Sequence, residues 1–168
     1  MIICPNFNNP DVAREFEELK NATSEKAAYA IWSLNNGNAI DKAPNGAESK
    51  LFKDLLNIFN DDRKAAIRAK SKVYSNGFIN WFGDWVNDSE NASKVVDDNG
   101  EPLIVYHHTN NPNLNTFSIE FDNYFSKDGG TKEAIFFDEN ITGTLNRKFD
   151  LPVFLNIRDL NEYNETKE

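Results

Sequence analysis

Apolar residues recur at helical spacing through the first half of the chain and at extended spacing through the second. After the start signal Asn9-Pro10-Asp11, the positions Val12, Phe16 and Leu19 predict a short helix running to Lys20. Thr23 or Ser24 caps a second helix carrying Ala27, Tyr29, Ala30, Ile31 and Leu34, and Asn35-Asn36-Gly37 ends it. Residues 38–47 read as loop, with Pro44-Asn45-Gly46 as a turn. A third helix is marked by the apolar face Leu51, Phe52, Leu55, Leu56 and Phe59 opposite Lys50, Lys53, Asp54 and Asn57. Asn60-Asp61-Asp62 caps a fourth, whose Arg63, Lys64, Arg68, Lys70 and Lys72 read as a solvated cationic face in preference to a nucleic-acid contact. Its packing side is Ala65, Ala66, Ala69, Val73 and Tyr74. Phe78, Trp81, Phe82 and Trp85 keep i, i+3, i+4, i+7 spacing, which predicts one buried face of a short helix rather than a ligand-stacking surface.

After Asp88 the period changes. Val95-Val96, then Asp97-Asp98-Asn99-Gly100, then Leu103-Ile104-Val105-Tyr106 is a hairpin signature, because Asn-Gly supplies the positive φ angles of a tight turn. Two further apolar runs, Ala134 to Phe137 and Val153 to Ile157, read as strands. The pattern therefore predicts an α+β protein with a helical region over 1–88 and a β-rich region over 89–168. No internal repeat is visible, and the 25 Asn suit turns and caps.

Charge sharpens this division. The net charge is −9, but residues 1–88 carry 11 basic and 12 acidic groups whereas residues 89–168 carry 7 and 15. A strongly basic nucleic-acid binder is excluded. No apolar run reaches the roughly 18 residues that span a bilayer, and Met1-Ile2-Ile3-Cys4-Pro5 lacks the features of a secretory signal, so a soluble, non-secreted protein is expected. The single cysteine, Cys4, fits a reducing compartment or a disulfide-free virion interior.

The chemistry-bearing residues are few. His107 and His108 are the only histidines and are adjacent; on a strand they point to opposite faces, so a shared metal is not expected. One should face a pocket or core and the other solvent. Phosphate loops, His/Cys metal spacings and a nucleophile elbow are missing from the sequence. The acidic pairs Asp97-Asp98 and Asp138-Glu139 read as solvated turn residues.

Taken in order, Trp81-Phe82-Gly83-Asp84-Trp85, Ser93-Lys94-Val95-Val96-Asp97, Asn99 through Thr109, Phe117 to Phe121, Ala134-Ile135-Phe136-Phe137 and Pro152 to Ile157 form a longer signature. It resembles the ADP-ribosyltransferase-like domains of large polyvalent proteins encoded by phages and conjugative elements. Their usual pattern reads W-F-G-D-W, S-K-V-V-D-x-x-G-E-P-L-V-V-Y-H-G-T, an F-F-T strand and a V-Y-L-N-I strand. The resemblance covers about residues 78–160. It implies a mixed or antiparallel transferase-like sheet, NAD as substrate, no metal, and a location in the bacterial cytoplasm or the virion. By the same resemblance His107 bonds the nicotinamide ribose, Thr109 lies next to that ribose, and Phe136 stacks on nicotinamide. His108 stands where the family has glycine. The family's late glutamate has no recognisable counterpart among Glu162, Glu165 and Glu168, so the sheet is expected to be incomplete.

Two functions follow as expectations. One is an NAD-dependent mono-ADP-ribosyltransferase, or its N-terminal fragment, acting on a host protein. The other is a catalytically inactive structural or interaction module of a larger phage protein, in a virion or as injected cargo, with other phage proteins as partners. A nuclease using His107 or His108 as general base lacks the basic cleft that RNA needs.

Overall fold

The computed structural model describes Pro10 and residues 24–37, 39–115, 135, 137–141 and 147–159. The helix expected over 9–20 lies outside the described residues, Pro10 apart, as do Phe117 to Phe121 and Phe136. The described residues form four α-helices, a 3-10 turn and a two-stranded antiparallel sheet, a mixed α+β composition. They divide into two compact units, one made of the residues up to Leu103 with those from Leu155, the other of Ile104–Phe154. No described helix is long and apolar enough to cross a membrane.

In the first unit each helix begins at a side-chain cap. Ser24 Oγ accepts the Ala27 N–H at the start of α1 (Glu25–Asn35), and Ser49 Oγ accepts that of Phe52 at α2 (Lys50–Ile58). Asp62 accepts the Ala65 N–H at α3 (Arg63–Lys72), and Ser75 that of Phe78 at α4 (Asn76–Phe82). Each cap satisfies a donor that the helix itself leaves without a partner. α3 packs against both α1 and α2. The core is built from Ala27, Ile31 and Leu34 of α1, Leu51, Phe52 and Leu55 of α2, Ala66 of α3, and the Val73-Tyr74 pair that follows it.

A charged pair lies within this apolar packing. Lys70 and Glu101 are both 0 % exposed, with Lys70 Nζ 3.1 Å from Glu101 Oε1. The ammonium donates to Ile40 O at 3.0 Å, Lys42 O at 2.7 Å and Ser49 Oγ at 2.8 Å, so three hydrogens meet three acceptors. Ser49 in turn donates to Glu101 Oε2 at 2.6 Å. Burial draws Lys70 below the usual lysine range and Glu101 above the usual carboxylate range. The partner's charge opposes that shift in each, and Ser49 adds its hydrogen bond at Glu101. Lys70 therefore departs from the solvated cationic face expected for α3. It sits one turn from Ala66 and one turn from Val73 and Tyr74, on the buried stripe.

Glycine at position 83 is demanded by geometry. It ends α4 with φ +102°, and a Cβ there would lie 2.3 Å from Ala92 Cα and 2.7 Å from Ala92 Cβ. The helix consequently stops before Trp85, and the expected single aromatic face splits. Phe82 and Trp85 are buried, together with Ile79, but Trp81 is 46 % exposed.

The hairpin signature at 95–103 forms its turn, with Gly100 at φ +79°, but only a single bridge, Val96 to Pro102. Side chains take the donors that would extend it: the Val95 N–H goes to Ser93 Oγ, and the Glu101 N–H to Asp97 Oδ1.

In the second unit β1 (Val105–Thr109) pairs antiparallel with β2 (Phe149–Val153), Val105 opposite Val153 and Thr109 opposite Phe149. The last strand thus ends where the sequence pattern starts it. Residues 155 and 157 bond elsewhere within the first unit: Leu155 O accepts from Ser93 Oγ, the Ile157 N–H donates to that same oxygen, and Ile157 O accepts the Lys94 N–H. The strand expected over 134–137 is not seen at its described residues, 135 and 137; the residue after the run, Asp138, makes one bridge, to Tyr106.

Two outcomes follow. Lys70→Met should cost about 3–5 kcal/mol in urea unfolding, because it leaves the Glu101 carboxylate buried without its countercharge. Lys70→Met with Glu101→Leu should lose less than the sum of the single changes; additive losses would show that the pair is not coupled. Gly83→Ala should cost more than about 2 kcal/mol by the same measurement, whereas Gly46→Ala, with open space around it, should cost less.

Candidate functional site

The histidine pair is the only place where the expected chemistry and the described residues meet. β1 alternates its side chains, so Val105, His107 and Thr109 share one face while Tyr106 and His108 share the other. Both faces are covered: His107 is 6 % exposed and His108 8 %. The expectation that one histidine faces solvent is therefore not met.

Register explains what surrounds each ring. Asp150 stands directly opposite His108, and Asp138 stands opposite Tyr106, one diagonal step away. His108 Nδ1 contacts Asp150 Oδ1, and His108 Nε2 lies 2.8 Å from Asp138 Oδ2. With a carboxylate at each nitrogen, both must carry a hydrogen, which makes the ring an imidazolium. Burial by itself would favour the neutral ring. The hydrogen bonds that the ring donates to Asp150 and Asp138, and then the charges of those carboxylates, outweigh it and hold His108 above the usual histidine range. In this arrangement His108 has no lone pair with which to act as a general base.

The opposite face holds the other candidates. Phe137 is adjacent to Asp138 and so turns toward His107, with ring centroids 5.6 Å apart and planes inclined by 53°. Thr109 Oγ1 accepts the Asn111 N–H at 3.1 Å, and Asn110 Oδ1 accepts the Lys148 N–H at 3.2 Å. His107 and Thr109 are thus brought to one face beside an aromatic ring. Phe136 lies outside the described residues. Asp138 and Asp150 are the residues that a reading of the sequence misses. Asp138 reads as a turn carboxylate, and Asp150 precedes the run read as a strand from Val153; the structure places it inside β2.

The remaining signature residues have structural work in the first unit. Trp85 Nε1 donates to Val73 O at 2.9 Å and its ring packs on Tyr74, centroids 4.9 Å apart. Asp84 Oδ1 accepts the Asn87 N–H at 3.1 Å. Ser93, 2 % exposed, joins the 93–95 segment to Leu155 and Ile157. Asp97 Oδ1 accepts the N–H groups of Asn99 and Glu101, which sets Glu101 in place for Lys70.

Two cavities open in the first unit. One, of about 420 Å³, is lined mainly by apolar groups including Tyr29, Leu34, Ala43 and Tyr74; the other, of about 620 Å³, includes Trp85, Asp97 and Asn99. Neither is lined by His107, His108 or Thr109. Among the described residues no group of three or more His, Cys, Asp and Glu side chains is placed to hold a metal ion. No family model matches the sequence, and neither a curated protein nor a solved structure matches it.

Proposed function

We propose that the β-rich part of the chain is the NAD-binding portion of an ADP-ribosyltransferase-like domain from a phage or mobile-element protein, modifying a host protein. The observation that carries this reading is the shared face of His107 and Thr109 with the Phe137 ring against His107. An imidazole nitrogen and a hydroxyl two residues apart suit the two neighbouring hydroxyls of a ribose. An aromatic ring beside them suits the flat face of nicotinamide. In this reading His107 orients the ribose, Thr109 supports it, and Phe136 stacks on the nicotinamide leaving group, with the Phe137 ring beside His107. The bond broken joins nicotinamide to the ribose, and the acceptor nucleophile takes its place.

One observation favours the second reading, a non-catalytic interaction module of a larger phage protein. His107 and Thr109 are 6 % and 7 % exposed, so a dinucleotide reaches them only if the surrounding segments move.

The full chain incubated with NAD separates the two. Nicotinamide release above background, falling about tenfold or more in His107→Ala, is expected for the transferase. Saturation-transfer NMR with NAD should show contact to the adenine or nicotinamide protons in the wild type. Neither release nor transfer from NAD would overturn the transferase reading and leave the interaction module.

A further inference from the structure

His108 closes a bracket. It lies on β1, one carboxylate partner lies on β2, and the other lies on the 137–141 segment, which is joined to β1 by one bridge. The bridge consists of two short backbone bonds, Tyr106 N–H to Asp138 O at 2.7 Å and Asp138 N–H to Tyr106 O at 2.9 Å. The two legs of the bracket differ in exposure, since the Asp138 side chain is 50 % exposed and that of Asp150 25 %.

We propose that His108 with Asp138 and Asp150 is a proton-operated latch: protonated, it holds the 137–141 segment onto β1; deprotonated, it releases that segment at the Asp138 leg. The reason is the count of hydrogens. An imidazolium serves two carboxylates, but a neutral ring has one N–H, so its second nitrogen turns a lone pair toward an anion and that contact becomes repulsive. The leg that opens is the one whose carboxylate water can take over, which is Asp138. Asp150, directly opposite His108 in the ladder, keeps the remaining N–H.

Other charged groups do not rescue the second leg. On β1 itself the neighbouring titratable groups are Tyr106 and His107. On the 137–141 segment Glu139 adds a further acid. Before β2 stand Arg147 and Lys148, and no hydrogen bond or ion pair joins either side chain to Asp138 among the described residues. The sign follows from the direction in which the histidine is moved. Its folded-state affinity for the proton is raised, so the latch contributes fully below the ordinary histidine range, near pH 6.5, and its contribution is lost as pH rises through the folded-state midpoint. Because Phe137 rests on His107, opening the segment also moves that ring away from His107.

Only two histidines exist, which makes the test direct. On the full chain, long-range proton–nitrogen NMR of the imidazoles from pH 5 to 9 reports the ring state. Backbone hydrogen exchange at Tyr106 and Asp138, corrected for its intrinsic pH dependence, reports the bridge. One imidazole should carry hydrogens on both nitrogens at pH 7 and titrate above the ordinary histidine range. Exchange at Tyr106 and Asp138 should accelerate about tenfold across that same midpoint, the loss of one charge-assisted bond, while exchange within β1–β2 changes less. Asp138→Asn, which keeps the size and an acceptor oxygen, should lower that midpoint and flatten the exchange profile. A ring that titrates in or below the ordinary range would overturn the latch, as would bridge protection that is flat through the midpoint or an Asp138→Asn midpoint that does not move.

Discussion

A lysine ammonium with no exposed surface is the constraint on which the first unit depends. Removing such a charge from water is costly, and only complete coordination makes it tolerable. Lys70 draws that coordination from three separate parts of the chain: the carbonyls of Ile40 and Lys42 in the 39–49 loop, the hydroxyl of Ser49 at the start of α2, and the Glu101 carboxylate beyond the helices. Each of these would be hard to order alone. The loop has no helix or strand of its own apart from the Lys42 to Glu48 bridge, and Ala39 is held at positive φ. Ser49 is doubly committed, since it caps α2 through the Phe52 N–H while passing a hydrogen bond from Lys70 on to Glu101. The pair thereby fixes which loop carbonyls lie at the buried ammonium, a constraint that an apolar core of the same volume would not impose.

The same logic gives physical meaning to the sequence signature. In Trp81-Phe82-Gly83-Asp84-Trp85, Phe82 fills the core, Gly83 permits a turn against Ala92 that no side chain could make, Asp84 caps the next turn, and Trp85 anchors the end of α3. In the following stretch Ser93 and Asp97 take backbone donors away from a hairpin ladder and use them to place Leu155, Ile157 and Glu101. These residues build the frame of the first unit. A resemblance carried by such residues speaks to architecture first, and the proposed chemistry rests on His107, Thr109 and Phe136.

What was legible in the sequence tracks how local the determining force is. Helices whose caps and apolar stripe lie within one segment were readable: Ser24 and Asp62 cap among the residues the pattern offered, and the Leu51, Phe52 and Leu55 stripe is buried as its spacing requires. Lys70 was not, because its charge suggests solvent while its place on the Ala66–Val73 stripe demands burial, and the partner that resolves the conflict is 31 residues away at Glu101. Trp81 failed although it lies inside α4: Ile79 and Phe82 take the buried side of that helix and Trp81 falls beside it. At the histidines, strand alternation correctly separated the two rings onto opposite faces. It could not tell that both faces are covered, nor that register would set Asp150 across from His108 and Asp138 one step diagonal to it.

That alternation also changes the meaning of the acidic second half. An excess of carboxylates argues against phosphate binding only if the carboxylates face the ligand. Asp138 and Asp150 are turned to the Tyr106 and His108 face of β1, where an imidazolium offsets one of their two charges. His107, Thr109 and Phe137 occupy the opposite face, with the strand backbone between. The His108 ring is held by these two carboxylates on its own face of β1, opposite the face of His107. His108 and its two carboxylates therefore leave one net negative charge, on the side of β1 away from His107 and Thr109.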